Sequence, residues 1–442
     1  MVKSFYSGVV LHKSLAVVDV VRLSEYALTE ARSEKSVGSY GIGFLVLKHC
    51  LTTELTEGND PKHENSKGIA LLAMSTLFCE RGDYVDAIEK LNGVQELSNS
   101  WESEVNPFEP LLLFTAFARV LFLFLVRIFF SVSWFLVVVA AYEAQAGLHL
   151  ELEQDDMASA VADKCIELVE NEKTEDFEAL KIRARAIKGL VELVKGDIKS
   201  AEPFFNKSLR TKLCYGTAAL SYAEFQQTRQ NYSMAKEIYK NVLEGATELK
   251  ERGNIYLGGG NMNIDGLRLQ AMFAIGQLES HLGRLFANGT DYGKSAELNL
   301  KVHTALSLSL VVAYCEKHPK LAVVLTNRAL MYKRFMEKEH SLMVQEGIYR
   351  EVSEMLKFPP PETESEGAAA KPPVKRNDMV ALASGGYAEV LSFQEDRQHE
   401  GVEMKKLSDS LWKNKRMSLD DFLGNTEASI GTVVDARICR LL

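Results

Sequence analysis

The sequence predicts an all-α protein, and more particularly an α-solenoid made of stacked helical hairpins. A short turn signature recurs four times along the chain, and the apolar residues around each copy follow the helical period of about 3.6 residues. Two of the copies lie 34 residues apart, which is the spacing of a short helical repeat. The composition agrees with a folded chain, since 46% of the 442 residues are hydrophobic and 25% are charged.

Residues 1–65 are predicted to form a helical lead-in to the repeats. Apolar residues at helical spacing fill most of this region, until a polar stretch at 57–67 precedes the first repeat. The N-terminal end carries Lys3 and Lys13 but no acidic residue before Asp19. This composition leaves two interpretations open, an ordinary N-terminal helix or an organelle presequence.

The recurring signature is a short turn between two helices. Each copy has a pair of turn residues, a large apolar residue, two variable positions and a small residue. A Gly-Asp or Gln-Asn pair suits a helix end, because the first residue tolerates the left-handed conformation and the second caps the next helix. The small residue suits a place where two helices approach closely. The four copies are residues 82–87, 196–201, 230–235 and, with one extra residue, 290–296.

Further segments extend the repeats. Residues 145–168 are predicted as a weaker unit, in which Val161 takes the place that Ala87 has in the first copy. One hairpin cannot bury its own apolar face, so at least about three must stack. The repeats resemble the tetratricopeptide repeat, and residues 318–332 resemble the first helix of its kinesin-light-chain type. The resemblance covers residues 66–357 and implies a solenoid of helical hairpins.

An apolar segment at 107–140 interrupts the repeats. Between 111 and 142 the only charges are Arg119 and Arg127, and the stretch 120–142 is long enough to cross a bilayer, for which about 20 apolar residues suffice. Three interpretations stay open. The first is a membrane anchor, in which Arg127 is a costly charge in mid-span. The second is a natural helix that is wholly buried. The third is a retained intron that is translated into protein.

The intron interpretation comes from the spacing of the repeats. Ala87 and Val161 are 74 positions apart, which is one 34-residue repeat plus 40 further residues, about the size of the apolar segment. Phe, Leu, Val, Ile and Ser are also what uridine-rich non-coding sequence yields when translated. A transcript without the codons for residues 106–139 establishes this interpretation, and a uniform transcript that contains them rejects it.

The C-terminal part is interpreted from composition. Residues 358–378 are rich in Pro and Glu and contain a run of Ala, so they are predicted to form an extended linker without a core. Residues 379–442 are predicted as a helical tail, with one or two helices between 377 and 412. The segments 379–391 and 411–419 resemble plant tetratricopeptide-like proteins of undefined role.

Charge and cysteine usage exclude several functions. The formal net charge of −9 disfavours binding to nucleic acid through its phosphates. The six cysteines form no CxxC pair, and His63-Glu64 lacks the second histidine of a zinc-protease motif, so neither a metal nor a cofactor is predicted. Reduced thiols are expected, which favours an intracellular location, while an organelle or a membrane stays open.

The nearest approach to a catalytic motif is the segment 289–295. A phosphate-binding loop needs four residues between two glycines, then Lys and Ser or Thr, after a strand. Here the spacing is one residue short, Asn288 stands where the first glycine belongs, and a helix is predicted upstream. The segment is interpreted as the fourth repeat turn. A nucleotide-dependent enzyme built around Lys294 is therefore the least favoured function.

The favoured function is a non-enzymatic scaffold that binds a protein or peptide. In tetratricopeptide arrays the first helices of successive hairpins line a concave groove, and the resemblance implies that the same positions here contact a partner segment. A groove for the C-terminal carboxylate of a chaperone is disfavoured, because Thr217 and Glu224 stand where hydrogen-bond donors are needed. The alternative is a membrane-tethered adaptor anchored through residues 120–142. The implied partner-binding residues are Arg183, Ala186, Leu190, Thr217, Leu220, Glu224, Thr326, Asn327 and Lys333.

Overall fold

A computed structural model confirms the prediction of an all-α fold. It describes residues 17–34, 36–53, 61–104, 117–170, 177–206, 215–251, 258–285, 319–335, 338–356, 376–413, 418–423, 434–435 and 440–442. Helices make up nearly all of this part of the chain. They are α1 (Val17–Glu34), α2 (Val37–Thr53), α3 (Pro61–Arg81), α4 (Tyr84–Glu104), α5 (Phe117–Glu151), α6 (Asp155–Glu170), α7 (Glu178–Val194), α8 (Ile198–Asn206), α9 (Gly216–Thr228), α10 (Tyr232–Glu251), α11 (Ile264–Leu285), α12 (Pro319–Phe335), α13 (Lys338–Leu356), α14 (Asn377–Ser392), α15 (Gln398–Leu411) and α16 (Leu419–Phe422), with one 3-10 turn at Gly260–Met262.

Two strands of two residues each lie near the C-terminal end. β1 (Val434–Asp435) and β2 (Arg440–Leu441) pair in antiparallel fashion. On β2, Arg440 forms an ion pair with Asp155, the first residue of α6, and another with Asp378 in the first turn of α14, both over 2.9 Å. These ion pairs attach β2 to the starts of two helices that are far apart in the sequence.

The described residues fall into two compact units. One lies within Met1–Cys79, Asp83–Ala141 and Leu257–Gly260, and the other within Glu80–Gly82, Tyr142–Tyr256 and Asn261–Leu442. The boundaries at 65, 357 and 378, which rest on composition, remain a prediction.

The first unit contains closely packed helices. α1 packs on α2, and a methyl group added at Gly43 of α2 would lie 2.8 Å from the carbonyl oxygen of Ala27 on α1, so the two backbones approach closely. On α4, Leu91 is fully buried. The amide of Gly260 donates a hydrogen bond to Ser75 Oγ of α3 over 3.0 Å. A segment distant in sequence therefore completes this core.

The predicted apolar insert coincides largely with α5. This helix has 35 residues, whereas α7 has 17. Residues 107–116 lie outside the described residues, and the side chains of α5 are described only from Trp134 onward. Trp134 and Val137 are buried and lie against Gly68 of α3. No helix within the described part of the chain combines the length and the apolar character that a bilayer span requires.

In the second unit, helices that follow one another in the chain pack together. α6 packs on α7, α7 on α8, α9 on α10 and α10 on α11, while α7 also packs on α9. One core joins α9, α10 and α11 around Ala235 and Tyr239. A second core joins α12 and α13 to the tail helices α14 and α16, and Tyr349 stacks there on Tyr387 with ring centroids 6.2 Å apart. The tail forms the helices α14 and α15 where one or two were expected, and it shares its core with α12 and α13.

Candidate partner-binding surface

Four turns between helices have the same backbone geometry. Each contains a residue in the left-handed conformation, with φ between 57° and 85°. The amide of the next residue donates to the carbonyl five residues before it, which is the Schellman arrangement of a helix end. The left-handed residues are Gly82, Glu153, Gly196 and Gln230, and the bonds run from Asp83 to Phe78, from Gln154 to His149, from Asp197 to Glu192 and from Asn231 to Gln226.

The small residue of each turn follows at a fixed distance. Ala87, Ala158, Ala201 and Ala235 stand five positions after the left-handed residue, all are fully buried, and each amide donates to the carbonyl four residues earlier. Ala158 is therefore the equivalent of Ala87, and the prediction of Val161 is wrong. The corrected interval from Ala87 to Ala158 is 71 positions, which leaves 37 residues beyond one 34-residue repeat.

The register was missed because this turn, Glu153-Gln154, has neither a glycine nor an Asp or Asn capping residue. Glu153 adopts φ 57°, a conformation that costs about 1–2 kcal/mol in residues other than glycine, so its sequence does not indicate a left-handed position. The fourth predicted signature, at 290–296, lies outside the described residues, and so does Lys294.

A glycine in a first helix allows close packing between hairpins. A methyl group added at Gly189 of α7 would lie 2.5 Å from the ring of Phe205 on α8. The same ring stacks on Phe225 and Tyr222 of α9, with centroids 4.8 Å and 6.3 Å apart. Gly189 thus lets Phe205 pack against both its own hairpin and the next one.

One buried carboxylate joins the first helices of three successive hairpins, α5, α7 and α9. Glu143 Oε2 accepts hydrogen bonds from Arg183, from Nε over 3.2 Å and also from Nη2, and Glu143 Oε1 accepts one from the Thr217 hydroxyl. The three residues are 3%, 5% and 1% exposed. The structure therefore brings together two of the predicted partner-binding residues through a third residue that sequence reasoning missed.

The corrected register accounts for the position of Glu143. It precedes the left-handed residue of its turn by ten positions, as Ala186 and Leu220 do in theirs. Glu143 is therefore equivalent to two residues that were predicted to face inward. An error of three positions, from taking Val161 in place of Ala158, hid this equivalence.

Most of the other predicted residues are also buried. Every residue of α9 from Gly216 to Gln227 is buried. The hydroxyl of Thr326 donates to the Ala322 carbonyl within α12 over 2.7 Å. In the structure these side chains pack against protein. Those exposed by 2% or less are Ala186, Leu190, Leu220, Glu224 and Thr326.

Asn327 and Lys333 on α12 are half-buried. Asn327 Nδ2 donates to the Val323 carbonyl over 2.9 Å. Lys333 Nζ donates to Glu389 Oε2 on α14 over 2.6 Å and to the Leu423 carbonyl over 3.0 Å. These two residues are the members of the predicted set that keep partial access to solvent.

A second buried carboxylate lies at the end of α5. Glu151 Oε1 accepts a hydrogen bond from Asn261 Nδ2 over 2.8 Å and lies 2.9 Å from Lys320 Nζ at the start of α12. Glu151 is 1% exposed and Lys320 is 3% exposed. A pair of opposite charges this deeply buried holds α5 and α12 together, because separating it would leave an uncompensated buried charge.

The Cys165 thiol lies buried close to Glu143 and Arg183. Burial raises the pKa of the Cys165 thiol well above its ordinary value, and the nearby Glu143 carboxylate raises it further against the opposite effect of Arg183. The thiol therefore stays protonated and weakly reactive at neutral pH. No group of His, Cys, Asp and Glu within the described ranges has the arrangement needed to hold a metal ion.

No protein-family model matches the chain, and no curated protein matches it either.

Proposed function

We propose that this chain is a non-enzymatic scaffold of the tetratricopeptide type, which binds a segment of a partner protein along the first helices of its stacked hairpins. The observation that carries the proposal is the set of four equivalent turns, in which the same backbone bonds and the same buried alanine recur. Repeated hairpins of one geometry present a row of first helices, and solenoid proteins bind their partners on such rows.

The buried network around Glu143 supports the proposal because it fixes this row. Arg183 and Thr217 bond to the same carboxylate, so this carboxylate ties α5, α7 and α9 together. Removing one partner of a buried ion pair costs about 3–5 kcal/mol. Helices held in this way need little further ordering when a segment binds, and a preorganised surface binds more tightly.

Asn327 and Lys333 are assigned the polar contacts with the partner, since they keep partial access to solvent. An Asn amide offers both a donor and an acceptor to a peptide backbone, and a Lys ammonium pairs with a carboxylate. The buried members of the predicted set are assigned a different role, which is to hold the first helices in register.

The experiment uses a display library of random peptides selected on the purified full chain. We expect enriched peptides, and we expect the affinity of an enriched peptide to fall about tenfold or more in Asn327→Ala or Lys333→Ala. Lys406→Ala is the matched control, because the Lys406 side chain on α15 is 69% exposed and pairs with Glu403 on the same helix. A selection that enriches nothing, or equal affinities in the three variants, would contradict the proposal.

A further inference from the structure

A groove runs between α9 and α10 in the second unit. Its volume is about 490 Å³, within the range of ligand-binding clefts. One wall is formed by Tyr215, which immediately precedes α9, and by Ala219 and Tyr222 in the N-terminal half of this helix. The other wall is a stripe on α10, whose members follow one another at spacings of three or four residues. They are Met234, Ile238, Asn241, Gly245 and Leu249.

The stripe on α10 is open along its middle. A methyl group added at Gly245 would meet no described atom within 4 Å. Met234 is 43% exposed and Tyr215 is 46% exposed, which is high for side chains of this size and character. Apolar surface of α10 is therefore accessible at Met234 and Gly245.

The groove differs from the surface formed by the predicted inward-facing residues. Tyr222 lies two residues from both Leu220 and Glu224, which places it about 160° away from each of them around the axis of α9. The predicted inward-facing residues and the groove residues thus lie on opposite sides of this helix. Binding in the groove is therefore independent of the proposed function.

The edge of the groove carries negative charge. Glu237 lines the groove, and Glu244 follows seven residues later on the same edge of α10, about 10 Å further along the axis. Both are exposed. Lys240 lies between them in sequence but one row further from the groove. Two carboxylates beside an apolar stripe attract a partner that carries basic residues next to its apolar ones.

We propose that this groove binds an amphipathic, basic helix of a partner protein. Apolar side chains of the partner at positions i, i+3, i+4 and i+7 occupy the stripe along Ile238, Gly245 and Leu249, as in other complexes of a helix in a groove. Lysine or arginine residues on one flank of that helix lie opposite Glu237 and Glu244. Gly245 lets the partner helix approach α10 closely, because it has no side chain.

The test uses a fluorescein-labelled peptide of about 18 residues, five helical turns, made of Leu, Ala and Lys with leucines at the spacing above. Two further probes are a version with Glu in place of every Lys and a version with the leucines scrambled. Binding to the full chain is measured by fluorescence polarisation. We expect the basic peptide to bind and both other probes to bind at least about tenfold more weakly.

Two variants test whether the basic peptide binds in the groove. Gly245→Phe fills the stripe and is expected to weaken binding of the basic peptide by at least about tenfold. Gly347→Phe is its matched control, because Gly347 on α13 is likewise a helical glycine with no described atom within 4 Å of an added methyl group. Gly347→Phe is expected to bind the basic peptide as tightly as the unchanged chain does.

A charge reversal tests the chemistry of the partner. The double variant Glu237→Lys with Glu244→Lys is expected to lose the preference for the basic peptide and to bind the acidic one better. Three results would each overturn the proposal: no binding of the basic peptide, equal binding of the basic and acidic peptides, or equal loss in Gly245→Phe and Gly347→Phe. A groove filled by another segment of this chain would give the first of these results.

Discussion

Arg183 on α7 donates two hydrogen bonds to the carboxylate of Glu143 on α5, 40 positions earlier in the chain, and both side chains are buried. The pair connects the first helices of two successive hairpins. Thr217 on the next first helix donates to the same carboxylate. The contact therefore acts across three hairpins and not only within one of them.

Glu143→Ala is expected to destabilise the fold by about 3–5 kcal/mol, because it leaves the Arg183 charge buried without this counter-ion. The measurement is the free energy of unfolding in urea. Glu170→Ala is the control, since Glu170 forms a similar ion pair with Arg185 over 2.7 Å, but with the Glu170 side chain 46% exposed. An exposed pair contributes about 0–1 kcal/mol. Equal losses of unfolding free energy in the two variants would show that the contribution of the Glu143–Arg183 pair to stability does not come from its burial.

Gly189→Ala is expected to destabilise the fold by about 1–3 kcal/mol, because the added methyl group would lie 2.5 Å from the ring of Phe205. Helix propensity alone favours alanine by about 1 kcal/mol, so the sign of the effect distinguishes packing from propensity. Gly347→Ala, at a glycine with open space around it, is expected to be stabilising. A second change, Phe205→Leu, should recover part of the stability lost in Gly189→Ala. A stabilising Gly189→Ala would refute the close packing.

Exchanging the left-handed residues of two turns tests their equivalence. Gly196→Gln is expected to cost about 1–2 kcal/mol, because φ at this position is 85°. Gln230→Gly is expected to raise stability by up to about 1 kcal/mol, because φ is 64° there and glycine relieves the strain. Thermal unfolding followed by circular dichroism measures both changes. A change in stability of the same sign in both variants would mean that the two turns are not equivalent.

The turn before α8 also predicts a dependence on pH. The pKa of Asp197 is lowered, first by the hydrogen bond from the Ser200 hydroxyl and then by that from the Ser200 amide. A carboxyl with a lowered pKa in the folded state stabilises the fold above its ordinary pKa of about 3.9, and the effect is lost as the pH falls through the folded value.

Ser200→Ala should therefore be less stable than the unchanged chain at neutral pH, and the difference should disappear in acid. Urea unfolding of both proteins at a series of pH values measures this difference in stability. Ser410→Ala is the control, because the Ser410 hydroxyl donates to a backbone carbonyl, that of Leu407, so its effect should not vary with pH. A pH-independent difference for Ser200→Ala would show that Asp197 is not the cause.

The signatures at Gly82, Gly196 and Gln230 were readable from the sequence because local chemistry sets a helix end. The left-handed residue, the capping residue and the small residue stand within six positions, and each acts through bonds to its near neighbours. At Glu153 the same turn forms from residues with no such preference. Packing of the flanking helices imposes it there, which no local pattern indicates.

Local sequence patterns predict the all-α class and the positions of three turns, because both depend on side chains close together along the chain. The tertiary structure alone brings Arg183 and Thr217 to Glu143, since these contacts join residues 40 and 74 positions apart. It also decided that most of the predicted inward positions are buried and that the tail helices share a core with α12 and α13. Burial and long-range pairing depend on how whole helices stack, and the spacing of residues along one helix does not contain that information.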